Sequence, residues 1–167
     1  MRQRLYGEVV AGAYAAVLYC DTYYAAPLIR HYQTIGVNKM KIKIQVKSDF
    51  MGEEYNEFDA IYSDNESELR IVWKDRLEGD SQNSIFEITY NKKSRELLMI
   101  RKGGIKSRMV FKQGSITHGV ITSQYGSIPV DIDTSCLCIP NKVTNILKIE
   151  YSLSEGIENT FEVILKF

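Results

Sequence analysis

The sequence predicts an all-β protein built as a single antiparallel barrel of about ten strands. Three strand patterns follow one another between Ile105 and Thr134 with almost no linker. Apolar and polar residues alternate there over short runs, as in half-buried strands whose successive side chains point to opposite faces. Similar runs recur about every 8 to 12 residues downstream of Met40, which is typical of all-β sandwiches and barrels. A barrel is favoured because closure removes exposed strand edges.

The first half of the barrel region gives five strand patterns. Their apolar positions are Ile42, Ile44 and Val46; Phe58, Ala60 and Tyr62; Leu69, Ile71 and Trp73; Phe86, Ile88 and Tyr90; and the continuous run from Leu97 to Ile100. Polar turns separate these patterns, and 76–83 is the longest polar loop. The run at 97–100 is apolar on both parities, which indicates a strand covered on both faces or lying over a barrel end.

The second half continues with patterns of the same kind. Their positions are Ser107, Met109 and Phe111; Ile116, His118 and Val120; Ile128, Val130 and Ile132; Leu137 and Ile139; Leu147, Ile149, Tyr151 and Leu153; and Phe161, Val163, Leu165 and Phe167. The parity that His118 shares with Ile116 and Val120 favours an inward orientation for its side chain. Pro129 lacks a backbone N–H, so we expect it at an edge, at a bulge or with its nitrogen pointing outward.

Composition and charge limit the functions open to the chain. Its 167 residues make one domain with a sizeable core. The 21 basic and 21 acidic residues balance, which argues against a general nucleic-acid binder because such a protein needs a basic surface. Three cysteines without a disulfide framework favour a reducing cytoplasm. Cys136 and Cys138 share a face and would make half a metal site, so we favour ordinary buried thiols and predict no metal or cofactor.

Residues 1–39 differ in composition from the rest, being rich in Ala and Tyr. We expect an N-terminal extension that is poorly ordered or forms a short helix, followed by a barrel domain at 40–167. The apolar run from Val9 to Cys20 is shorter than the roughly 20 residues that span a bilayer, and no A-x-A site makes it a good signal peptide. No membrane association is therefore predicted. Codons for Gly36-Val37 can resemble a ribosome-binding sequence, so we hypothesise that translation starts at Met40.

Several short motifs in the C-terminal half form one recognisable set. They are Ser107-Arg108-Met109-Val110-Phe111, His118-Gly119, Gln124-Tyr125-Gly126-Ser127, Thr134 and Lys148-Ile149-Glu150-Tyr151-Ser152-Leu153. Together they resemble the YwiB-like family of small, uncharacterised bacterial proteins over about 40–167. The resemblance implies a calycin-type, lipocalin-like barrel. Ile121 stands where that family usually has an aromatic residue, and Ser123-Gln124 replaces a Thr-Pro pair. The family carries no established activity, so the resemblance concerns architecture.

A barrel of about eight to ten strands can hold a small ligand in its interior. Such a pocket is mostly apolar and has a few polar anchors. The predicted walls are Trp73, Phe86, Met109, Phe111 and Val120. The predicted anchors for an acidic or polar head group are Arg108, His118 and Tyr125. For each apolar residue of this predicted pocket, core packing is the simpler explanation. Arg108 has the opposite parity to Met109, which favours an orientation toward the outer face of the barrel.

Three functions follow from these patterns, in order of preference. The first is a barrel that binds a small, partly apolar ligand in a cavity of at least about 300 Å³. The second is a protein-interaction or assembly module, a homodimer for example, with an exposed apolar patch or an unpaired strand near Pro129. The third is an enzyme that uses His118, although a hydrogen-bonded structural histidine is favoured and no catalytic set is predicted.

Overall fold

The structure is a computed structural model that describes residues 39–49, 54–75, 84–141, 143–154 and 156–167. Ten strands in these segments form one closed antiparallel barrel, which confirms the predicted fold class. The strands are β1 (Lys39–Ser48), β2 (Asn56–Asp64), β3 (Glu68–Asp75), β4 (Ser84–Asn91), β5 (Glu96–Lys102), β6 (Lys106–Phe111), β7 (Ile116–Ser123), β8 (Gly126–Cys138), β9 (Ile146–Leu153) and β10 (Ile157–Lys166). No helix occurs in the described segments. The predicted N-terminal extension, apart from Lys39, lies outside them.

Each strand pairs with its neighbours in sequence, and β1 also pairs with β10 to close the barrel. Successive strands run in opposite directions, so their connections alternate between the two ends. We call the end at which β1 begins the lower end and the end at which β1 stops the upper end. The β3–β4, β5–β6 and β7–β8 connections are at the upper end, and the β2–β3, β4–β5 and β6–β7 connections are at the lower end.

The barrel interior is the hydrophobic core. On β9 the alternating residues Leu147, Ile149, Tyr151 and Leu153 are all buried, while the residues between them are half-buried. The same alternation on the other strands brings the inward-facing side chains into one cluster. Burying each Leu or Ile side chain contributes about 1.5–3 kcal/mol. The period-two patterns of the sequence thus produce both the strands and the core.

Asparagine side chains fix three turns at the lower end. The Oδ1 atoms of Asn65, Asn91 and Asn141 each accept hydrogen bonds from the backbone N–H groups two and three residues later, at 2.8–3.1 Å. Asparagine suits these positions because its short side chain can replace a backbone partner within a turn. The turns at Asn65 and Asn91 also contact each other, since the Lys92 N–H donates to the Ser67 carbonyl oxygen at 2.9 Å.

Pro129 lies on a local strand edge, as expected from the sequence. β8 pairs with β7 as far as Gly126, but its pairing with β9 begins only at Ile132. The Asp131 N–H points to the β9 side and donates to the Ser154 Oγ at 2.8 Å. Backbone groups two residues apart on a strand point the same way, so the Pro129 nitrogen faces the open edge. The missing donor makes this edge a poor template for another strand.

Gly119 lies where β6 and β8 approach β7 closely. A Cβ atom at this position would lie 3.0 Å from the Arg108 carbonyl oxygen and 3.0 Å from the Ile132 Cδ1 atom. The first of these contacts is to backbone in a paired strand, which cannot move away on its own. Glycine is therefore required here for space.

We predict that Gly119→Ala lowers the free energy of unfolding by about 1–3 kcal/mol, the usual cost of overpacking. Urea unfolding followed by circular dichroism measures this change. Tyr125→Ala is the control, because its exposed side chain should change the unfolding free energy by less than about 0.5 kcal/mol. A Gly119→Ala variant as stable as the wild type would contradict the packing described for β6, β7 and β8.

Candidate functional site

Four of the eight predicted site residues face the barrel interior. Trp73 and Phe86 are opposite each other on β3 and β4, and their rings stack with centroids 5.1 Å apart. Met109 and Phe111 are buried on β6, and the Phe111 ring meets Tyr151 edge to face at 5.0 Å. The structure therefore brings Trp73 and Phe86 together as one aromatic wall and places the two β6 residues in the core.

The other four predicted residues lie on the outside. Arg108 and Val120 are paired in register on the outer faces of β6 and β7. Tyr125 is 91% exposed in the β7–β8 turn. The side chain of His118 is 82% exposed, and its Nδ1 lies 2.7 Å from the Asp131 Oδ1 of β8. The inward orientation expected for His118 and Val120 is therefore wrong, and the outer-face alternative for Arg108 is correct.

The physical reason for this error is that β7 carries apolar side chains on both parities. Ile116 and Val120 share the parity of His118, yet Ile116 is 67% exposed. The inward parity contains Gly119 and Ile121, and Ile121 is buried. Alternation alone cannot choose between the faces of such a strand, because both satisfy the same pattern.

A layer of buried polar side chains at the upper end was not singled out by the sequence patterns. Asp75, Ser84, Arg101 and Ser107 face inward from β3, β4, β5 and β6 and are all buried. Asp75 is in register with Ser84, and Arg101 is in register with Ser107. Arg101 is only 2% exposed and is the largest of the fully buried side chains. Parity in the sequence does not reveal its orientation, because the preceding run at 97–100 is apolar on both parities.

The Arg101 guanidinium lies against the aromatic wall. Its central carbon is 5.3 Å from the centroid of the Phe86 ring, and Phe86 stacks on Trp73. Its Nη2 donates to the Ser84 Oγ at 3.3 Å. A guanidinium keeps its charge at every accessible pH, and burying such a charge costs several kcal/mol before its interactions are counted. The upper end of the interior thus holds a desolvated cation, with the Asp75 carboxyl in the same layer.

A separate cleft of about 800 Å³ opens in the barrel wall near the lower end. It forms because β1 pairs with β2 from Lys39 onward but with β10 only from Lys43 onward. Its lining residues are Lys41, Ile42, Lys43, Glu57, Asp59, Ala60, Ile61, Lys166 and Phe167. Charges in the lining pair with one another, as in the 3.1 Å contact between the Lys43 Nζ and the Asp59 Oδ1. These exposed pairs contribute little binding free energy, and three lysines share the lining with two acidic side chains.

Tyr62 lies beside this cleft at the lower end of the barrel. Its ring meets Phe167 edge to face, with centroids 5.3 Å apart. Burial, followed by the charge and hydrogen bond of Asp64, raises the pKa of Tyr62 from 10.0 to about 12. The phenol therefore keeps its proton in the folded protein at a pH where the unfolded chain has lost it.

We predict that this shift weakens the fold in alkali. As the pH rises from about 10 to about 12, the unfolded state binds fewer protons than the folded state, so the free energy of unfolding falls. Urea unfolding at about pH 9 and about pH 11 should show a smaller loss for Tyr62→Phe, which has no phenol proton, than for the wild type. Tyr125→Phe, altered at an exposed position, should behave like the wild type. An equal loss in Tyr62→Phe and the wild type would contradict the role of burial.

Cys136 and Cys138 lie on the outer face of β8, where Cys136 is half-buried and Cys138 is exposed. The preference for ordinary buried thiols is therefore wrong. The prediction that both side chains lie on the same face is confirmed, since the two Sγ atoms are 3.4 Å apart. The strand departs from regular pairing here because a bulge separates Thr134 from Cys136 in its register with β9. Among the described residues, no group of three or more His, Cys, Asp or Glu side chains could hold a metal ion.

The protein is a small β-barrel: ten antiparallel strands close around a core, and one layer of that core carries charged side chains. The chain belongs to the family described as a domain of unknown function, DUF1934, whose family model matches residues 40–166. The ywiB protein of Bacillus subtilis has a similar solved structure, with a TM-score of 0.64, 16% sequence identity and coverage of 81% of this chain and 97% of that one. The resemblance to the YwiB-like family is thus confirmed. At this identity the likeness shows the fold alone.

Two further findings concern relatives of the chain and membrane-spanning helices. No curated protein matches the chain. Within the described segments, no helix has the length and apolar character needed to cross a membrane.

Proposed function

We propose that the protein binds a small, partly apolar molecule with an acidic head group at the upper end of the barrel interior. One observation carries the proposal: a guanidinium that is 2% exposed faces the interior beside an aromatic wall. Trp73 and Phe86 suit the apolar part of the ligand, and Arg101 suits its head group. Three of the predicted wall residues, Trp73, Phe86 and Met109, are retained, and Arg101 replaces Arg108 as the anchor.

The electrostatics of the interior favour a carboxylate as the head group. Planar guanidinium groups bind carboxylates through two parallel hydrogen bonds, which are stronger than bonds between neutral groups. Low solvent exposure strengthens the attraction further, because water does not screen it. The hydroxyls of Ser84 and Ser107 lie in the same layer and can donate to the same group. The layer holds one guanidinium and also the Asp75 carboxyl, so a head group with a single negative charge adds the least repulsion.

The size of the barrel and its neighbouring side chains support a ligand at this end. Barrel diameter grows with strand number, and about eight strands already suffice for one small ligand in lipocalins. Ten strands close this wall. The inward positions in register with Asp75 on β4 and with Arg101 on β6 are the small residues Ser84 and Ser107.

The free thiols of Cys136 and Cys138 support a location in a reducing cytoplasm, where we place the binding activity.

A protein-interaction module, such as a homodimer, is the second candidate. Two exposed apolar side chains of the β7–β8 hairpin favour it, Tyr125 and Ile128. Val120 is exposed on the opposite face, because Ile128 is in register with the inward-facing Ile121. Pro129 disfavours strand addition at the adjoining edge, so any partner would bind through these side chains rather than through the backbone. Analytical ultracentrifugation of the wild type and of Tyr125→Ser tests this candidate. It predicts that the wild type forms a dimer and that the substitution weakens the dimer. A wild type that is monomeric at every concentration would contradict it.

Decanoate, a carboxylate with an apolar tail, tests the binding proposal directly. Trp73 is the one tryptophan of the chain and stacks on Phe86, so its fluorescence reports on this site. We predict a saturable change in Trp73 emission on titration of the wild type with decanoate. Arg101→Met should weaken binding by at least about tenfold, because a hydrogen bond to a charged group is worth about 1.5–3 kcal/mol.

Two controls isolate the charge of Arg101. Arg108→Met makes the same substitution on the outer face of the next strand and should leave the decanoate affinity unchanged. Decylamine, with the opposite charge and the same tail, should bind the wild type far more weakly than decanoate does. Circular dichroism and urea unfolding check that Arg101→Met is folded, because removing one charged member of a buried layer that also holds Asp75 can cost about 3–5 kcal/mol. The proposal fails if wild-type emission does not respond, or if folded Arg101→Met binds decanoate as tightly as the wild type.

A further inference from the structure

The pair of thiols on β8 is independent of the barrel interior. Cys136 and Cys138 are two residues apart, so both side chains lie on the outer face of the strand. Their Sγ atoms are 3.4 Å apart, which is close to van der Waals contact. Cys138 is exposed and can meet a reagent from solvent.

The surroundings of the pair distinguish the two sulfurs. Cys136 is in register with Glu150 and Cys138 with Lys148 on β9, and the Lys148 Nζ lies 2.6 Å from the Glu150 Oε1. The hydrogen bond with Cys138, then burial, raises the pKa of the Cys136 thiol above its usual range, and the Glu150 charge adds to this. Because Cys138 is exposed and Cys136 is half-buried, Cys138 is the sulfur that a reagent from solvent reaches first.

We propose that Cys136 and Cys138 form a reversible intramolecular disulfide when a peroxide oxidises them. A disulfide requires Cα atoms within about 4.4–6.8 Å, and two residues of extended strand span about 6.4–6.8 Å, at the upper end of this range. The bond is thus sterically allowed but strained. Strained and exposed disulfides are the easily reduced ones, which suits a reversible modification rather than a permanent crosslink.

The reaction takes place in two steps. The Cys138 thiolate attacks one oxygen of hydrogen peroxide, so that an S–O bond forms, the O–O bond breaks and hydroxide leaves to become water; Cys138 is then a sulfenic acid. The Cys136 sulfur gives up its proton and attacks the Cys138 sulfur, so that the S–S bond forms, the S–O bond breaks and a second water leaves. Two thiols and one peroxide yield one disulfide and two waters, and the two electrons pass to the peroxide oxygens.

The experiment uses the full chain with Cys20→Ser, which leaves Cys136 and Cys138 as its two thiols. Limited hydrogen peroxide should produce a monomer that is lighter by two hydrogens and no longer reacts with iodoacetamide. Trypsin cuts after Lys112 and Lys142, so the lost hydrogens should map to peptide 113–142. Dithiothreitol should restore both the original mass and the labelling.

Single variants separate the pair from ordinary thiol oxidation. In the Cys20→Ser background, Cys136→Ser and Cys138→Ser should each gain oxygen atoms or form dimers instead of losing hydrogens. Cys136→Ser should react with peroxide faster than Cys138→Ser, because Cys138 is the more accessible sulfur. The proposal is overturned if the two-thiol protein accumulates sulfinic acid or intermolecular dimers without passing through the lighter monomer.

Discussion

The pairing of β1 with both β2 and β10 is the constraint on which the whole structure depends. Without it the ten strands would form an open meander with two long edges, each a template for aggregation. With it, the open edges among the described strands are short, as at Lys39–Ile42 of β1, at the start of β8 and at Asn56–Asp59 of β2. Lysines mark the first edge and Pro129 the second, and both residue types discourage further strand pairing.

Closure also determines the chemistry of the interior. A closed wall shields most inward positions from water, so a buried polar side chain there has strong effects on its neighbours. Most inward positions are apolar and simply pack. One exception is the upper layer, where Arg101 places a cation beside a hydroxyl and an aromatic ring, with the Asp75 carboxyl in the same layer. Burying these charges costs free energy that only well-placed interactions can offset.

The sequence predicts the fold well because each strand contains several apolar residues on one parity. The β9 series is an example: its four alternating residues are all buried. The prediction of the site is less complete, and β7 shows why, since its outward Val120 and inward Ile121 are equally apolar. The inward orientation of Arg101 was not accessible to the same reasoning, because the run at 97–100 is apolar on both parities. Its burial depends on partners from β4 and β6, which spacing along one strand does not reveal.

A crystal structure of the full chain grown with decanoate tests the central claim most directly, because it distinguishes the interior from the cleft in the wall. We predict carboxylate oxygens about 2.7–3.2 Å from the Arg101 guanidinium, with the alkyl tail along the rings of Trp73 and Phe86. Decanoate bound instead beside Lys41 and Lys166, with the Arg101 layer as it is here, would contradict the assignment of Arg101 as the anchor.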